Sequence, residues 1–161
     1  MLRELFLGFL GTNRFKNSTI CSTLVAFGIG VIVLLYLGAQ SLFSLAFATS
    51  IIAVVEINRA LNSNLNINIT VDKAVGVWIS LVVAIYGVSQ IDIEYANLLA
   101  IALSPFSFLF FIIKKPSTIG YIKERFKGGL GVVLSSLLAG FAGGFLVILL
   151  IKIYSIFSKA L

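Results

Sequence analysis

Long runs of apolar residues, nearly free of charge and each about long enough to cross a bilayer, recur along the whole chain. The last, Leu130 to Phe157, contains one lysine and no acid. A single such run would fit a buried core helix; the repetition does not. In lipid only helices or a closed barrel satisfy their own backbone groups. The runs are continuous rather than alternating, so they predict helices. Composition agrees. The chain of 161 residues is 60% hydrophobic and 11% charged, where a soluble domain carries about 25% charge. The expectation is one all-α, polytopic membrane domain over residues 1–161.

The runs predict five spans: Thr19 to Leu37, Gln40 to Val55, Ala74 to Val88, Ala96 to Ile113, and Leu130 to Phe157. Gly38 and Ala39 leave room only for a tight turn, so the first two spans form a hairpin. Before them, Leu2, Leu5, Phe6, Phe9 and Leu10 fall on one face of a short helix expected to lie in the membrane interface. Pro105, inside the fourth span, removes a backbone donor and should bend it.

Charge sets an orientation. With the N-terminus in the cytoplasm, the inner segments hold Arg3, Arg14, Lys16, Arg59, Lys73, Lys114, Lys115, Lys123, Arg125 and Lys127. The outer loop carries Asp92 and Glu94, and only Lys152 and Lys159 run against the bias. This is the positive-inside pattern. The net charge of +6 therefore points to anionic lipid headgroups and not to nucleic acid. Histidine is absent and Cys21 is the single cysteine. That excludes histidine acid–base chemistry, zinc sites of His and Cys, and an internal disulfide.

Three inner segments offer many cations and few acids: Arg14 to Thr19, Asn68 to Gly76, and Lys114 to Ser136. Lys115, Lys123, Arg125 and Lys127 surround Gly128, Gly129 and Gly131 at the start of the last span. Free N–H groups at a helix start suit an anion, and a phosphate at headgroup depth is the natural ligand. Asp72 stands just before the third span, where Lys73 or Arg59 are its candidate ion partners.

These motifs resemble the phosphatidylglycerophosphatase A family, small bacterial inner-membrane enzymes. The family removes the terminal phosphate of phosphatidylglycerophosphate with a divalent metal. Lys115-Pro116 followed by Lys127-Gly128-Gly129-Leu130-Gly131 and then Ala139-Gly140 matches its most specific motif. Val71-Asp72-Lys73-Ala74-Val75-Gly76, with Trp78 after it, matches the segment before the third span. Gly8-Phe9, Thr19 and Ser22 match near the N-terminus. The resemblance implies a multi-pass protein of the bacterial inner membrane with its site at the cytoplasmic face. It assigns substrate phosphate to Thr19, Lys115, Lys123, Arg125, Lys127, Gly128, Gly129 and Gly131, and catalysis or metal binding to Asp72.

The departures bear on mechanism. The family's paired aspartates fall on Ser135 and Ser136, its glutamate after the retained aspartate on Lys73, and a further aspartate on Ile112. Magnesium seeks oxygen ligands and commonly one or two carboxylates; it is the implied cofactor if the chain is active. Three functions follow as alternatives. One is a family member that binds anionic phospholipid with weak or lost hydrolysis. The second is an active phosphatidylglycerophosphate phosphatase. The third is a non-catalytic membrane scaffold or oligomerising partner.

The last span also carries two rows of small residues: Gly131, Ser135, Ala139 and Gly143, and Ser136, Gly140 and Gly144. Such rows allow close helix contact. They predict packing through Gly140, Gly143 and Gly144, including a homo-oligomer through this face.

Overall fold

The computed structural model describes residues 2–63, 68–91, 95–114 and 116–160, apart from the side chains of residues 2, 3, 13, 117, 118, 123, 124, 159 and 160. Lys115 and the acidic pair Asp92 and Glu94 lie outside the described residues. The described residues form helices α1 (Leu2–Leu7), α2 (Ser18–Asn62), α3 (Val71–Val88), α4 (Ala96–Lys114), α5 (Ser117–Arg125) and α6 (Gly129–Ala160). A 3-10 turn, Thr12–Arg14, precedes α2. Four helices, α2, α3, α4 and α6, are long and apolar enough to cross a membrane.

The 45 residues of α2 are interrupted at Gly38, whose φ of 83° and ψ of 169° are not helical. A residue with a Cβ rarely adopts such a φ, so glycine suits the break. The limbs on either side reverse direction. Thr19 borders a cavity with Asp72 and Ser135, while the Asn58 side chain accepts from the Gly129 N–H. A straight helix would separate Thr19 and Asn58 by about 60 Å. Both instead reach the end of the bundle where α3 and α6 begin.

α3 is the most enclosed of the four long helices. It is apolar on all sides, and every residue from Ala74 to Val82 is buried, as expected of a helix with no polar face. α2 shows the pattern of a lipid-facing helix. Its buried positions are mostly small, including Ser22, Ala26, Gly30, Ala46, Ser50 and Ala53, while Leu35, Tyr36 and Phe47 point outward. Without water to drive apolar surfaces together, helices in lipid associate by close approach of small residues. Buried hydroxyls bond back to their own helix: Thr23 to the Thr19 carbonyl at 2.8 Å, and Ser104 to the Ala100 carbonyl at 2.6 Å. α4 continues through Pro105 as one helix.

The small-residue rows of α6 are used within the chain. A Cβ on Gly140 would stand 2.3 Å from the Gly76 carbonyl oxygen, and one on Gly144 2.6 Å from Val83 Cβ. Gly143 faces the Phe108 backbone and Ser80. α3 and α4 therefore pack against this face within the chain.

Two local expectations are corrected. The N-terminal helix ends at Leu7, and Phe9 and Leu10 turn left-handed with φ of 37° and 59°. Leu7 and Phe9 are buried, whereas Leu5 and Leu10, expected on the apolar face, are exposed. The segment turns because it docks on α3: the Phe9 ring meets Trp78 edge-on at 6.0 Å, and Thr70 N–H donates to the Leu7 carbonyl at 2.9 Å. The basic segment after α4, where the apolar runs predict no helix, contains α5. Pro116 stands at its N-cap, and Ile119 is buried beneath it.

Candidate functional site

α3 and α6 run parallel in register. Asp72 faces Ser136, Gly76 faces Gly140, and Ser80 faces Gly144. One turn of helix separates each rung, so the glycines that bring the backbones together also set Asp72 against Ser136. At this end of the interface lies a cavity of about 330 Å³ lined by Thr19, Asp72, Lys73, Ile112, Ile113, Ile119 and Ser135. Five elements converge on it: the starts of α2 and α3, the end of α4, α5, and the start of α6.

Asp72 is 1% exposed. Its Oδ2 accepts from Lys73 Nζ at 2.6 Å and from Ser136 Oγ at 2.5 Å. Arg59, the other candidate partner, pairs instead with Glu56 at 2.7 Å. Asp72 Oδ1 is buried and has no hydrogen-bond partner among the described residues. Such an orphaned acceptor is uncommon in a native interior. Ser135 donates to the Val132 carbonyl at 2.8 Å, one turn back in its own helix.

The structure brings together Thr19, Asp72, Lys73, Ile112 and Ser135 around the cavity, with Ser136 behind Asp72. Arg125 and Lys127 are exposed and do not line it. Arg125 binds the Tyr121 hydroxyl at 2.5 Å and lies over its ring. The Lys123 side chain and Lys115 lie outside the described residues. Gly128 and Gly129 pack on α2, where a Cβ on Gly129 would stand 2.5 Å from the Val54 carbonyl oxygen. The Gly129 N–H, expected to be free for an anion, donates to Asn58 Oδ1 at 2.7 Å. Gly131 is buried in the α6 packing row.

The family model for phosphatidylglycerophosphatase A matches residues 5–151. The chain belongs to the phosphatidylglycerophosphatase A family. No curated protein and no solved structure matches it.

Four of the positions expected to depart from the family pattern, Lys73, Ile112, Ser135 and Ser136, line the Asp72 cavity or bond to Asp72. The donor set does not fit magnesium. Asp72 is the one carboxylate on the described wall, and the Lys73 ammonium touches it. Ile112 has no donor atom. Among the described residues no three acids, histidines or cysteines cluster. Magnesium commonly takes one or two carboxylates beside waters and substrate phosphate, and here the single described carboxylate is already paired with an ammonium.

Sequence reasoning missed Asn58, Ile113 and Ile119. Ile119 carried a weak signal in Pro116, which favours a helix start. Nothing in the Asn-rich stretch distinguishes Asn58 from its neighbours.

Proposed function

We propose that this phosphatidylglycerophosphatase A family member holds the phosphate of an anionic phospholipid in the Asp72 cavity, with metal-dependent hydrolysis weak or lost. The observation that carries the reading is the position of Asp72 Oδ2 between Lys73 and Ser136. The surviving carboxylate is already neutralised by an ammonium where metal-assisted chemistry needs a dication to gather charge on phosphate. The cavity keeps a cation and hydroxyls, which suit an anion.

The same reading takes the protein as a multi-pass component of the bacterial inner membrane, N-terminus inside. The reversal at Gly38 supports two crossings by α2 and five in all. Of the 12 Lys and Arg residues, all but Lys152 and Lys159 then fall on the cavity side, which supports a cytoplasmic site.

Phosphate release from phosphatidylglycerophosphate in mixed micelles, with and without magnesium, tests the reading. The expected result is retention of the lipid with negligible release under both conditions. Robust magnesium-dependent release that Asp72→Asn abolishes would overturn it and establish an active phosphatase. The family match and the unpartnered Asp72 Oδ1 favour that second reading.

A further inference from the structure

We infer that Lys73 is the built-in cation of this cavity and that, with Asp72, it selects a phosphate monoester without a metal ion. The inference rests on the phosphate-holding reading above and adds how the ligand is recognised. Lys73 sits in the first turn of α3, where the helix dipole disfavours a cation. Its side chain is only 15% exposed, yet it borders the cavity. The ion pair with Asp72 at 2.6 Å holds it there, but an ammonium has three donors and that contact uses one.

Asp72 Oδ1 supplies the second half of the argument. It is buried, on a cavity-lining residue, and has no donor among the described residues. A ligand that satisfies it must bring a hydrogen-bond donor, such as an O–H. A monoanionic phosphate monoester carries both parts: anionic oxygens for Lys73 and a P–OH for Asp72 Oδ1. The phosphate group of a diester has no P–OH to offer Oδ1, and an unsatisfied buried acceptor is penalised. Thr19 and Ser135 add hydroxyls to the same cavity, while Ile112, Ile113 and Ile119 make an apolar side for a lipid chain. A divalent cation entering here would meet the Lys73 charge directly.

The test uses the purified full chain in mixed micelles containing phosphatidylglycerophosphate, a monoester, or phosphatidylglycerol, a diester. Lipid retention is read by native mass spectrometry in magnesium or in EDTA. The expected preference for the monoester changes by less than about twofold between the two conditions. Lys73→Met is expected to lose about tenfold or more of that preference, as for a charged hydrogen bond, and Lys73→Arg to keep most of it. Loss of the preference in EDTA would assign the phosphate to a metal ion and overturn the role of Lys73, leaving the phosphate site standing. An unchanged preference in Lys73→Met would overturn it equally. Absence of any preference in the wild type under both conditions would instead sink the phosphate-holding reading. Should Lys73→Met fail to fold, the EDTA comparison on the wild type decides alone.

Discussion

Ser136 Oγ donates to Asp72 Oδ2 at 2.5 Å, joining residues 64 apart in sequence across the parallel α3–α6 interface. The serine at a position where the family carries an aspartate is thus a buttress for the remaining acid. Ser136→Ala removes a hydrogen bond to a charged group and is expected to destabilise the protein by about 1.5–3 kcal/mol. Thermal unfolding in detergent measures this; an unchanged midpoint would mean the bond contributes nothing.

Restoring the acids should work only in combination. Lys73→Glu removes the ammonium, while Ile112→Asp, Ser135→Asp and Ser136→Asp add oxygens around Asp72. We expect the quadruple variant to gain magnesium-dependent phosphate release and each single variant to gain none. Each new acid costs about 2.5–3.5 kcal/mol at a span centre and less near the interface. Ser135 lies about 9 Å into α6 by helix rise, so the cost is intermediate and folding is checked by size-exclusion profile. A single variant as active as the quadruple one would refute the shared-site account.

The glycine contacts predict a contrast. Gly140→Ala pushes a methyl into the Gly76 carbonyl, against backbone that cannot swing away. We expect a loss of about 1–3 kcal/mol or more. Gly28→Ala meets nothing within 4 Å and should be neutral or gain about 0.5–1 kcal/mol. Equal melting temperatures for the two variants would show that α3 and α6 are not in backbone contact.

Crossing number is read by thiol labelling in a Cys21→Ser background. Cysteines placed at Ala39 and Lys127 should label from opposite sides, Ala39 from outside. Labelling of both from one side would remove the hairpin at Gly38 and the five-crossing topology.

Asn58→Ala should cost about 0.5–2 kcal/mol, the range for losing a helix N-cap. Asn58 caps α6 from another helix, through the Gly129 N–H. If the cap holds the α6 start against α2, hydrogen exchange at residues 129–132 should rise in this variant. No rise there would deny the cap its role.

What the sequence determined by itself was whatever depends on local composition. Uncharged apolar runs locate α3, α4 and α6 to within a few residues, and Gly38 marks the reversal in α2, because each signal acts within one helix. The family motif in Lys127 to Gly140 and the small rows of α6 were equally legible, as was the prospect that those rows pack. Their partner was not. Nothing local says that Gly140 meets Gly76 in the same chain and not a second copy, since either contact satisfies the same small-residue surface. The candidate site divides the same way. Asp72 stood out as the retained acid, but its choice of Lys73 over Arg59, and the capture of its Oδ2 by Ser136, depend on how α3 registers against α6. The basic residues near Gly128 looked like the phosphate site because charge is visible in sequence. Direction is not: Arg125 and Lys127 stay exposed, and the Gly129 N–H is taken by a side chain 71 residues away. Tertiary packing decided which polar atoms were left unpartnered, because satisfying a buried donor or acceptor is a long-range contest that no single segment resolves.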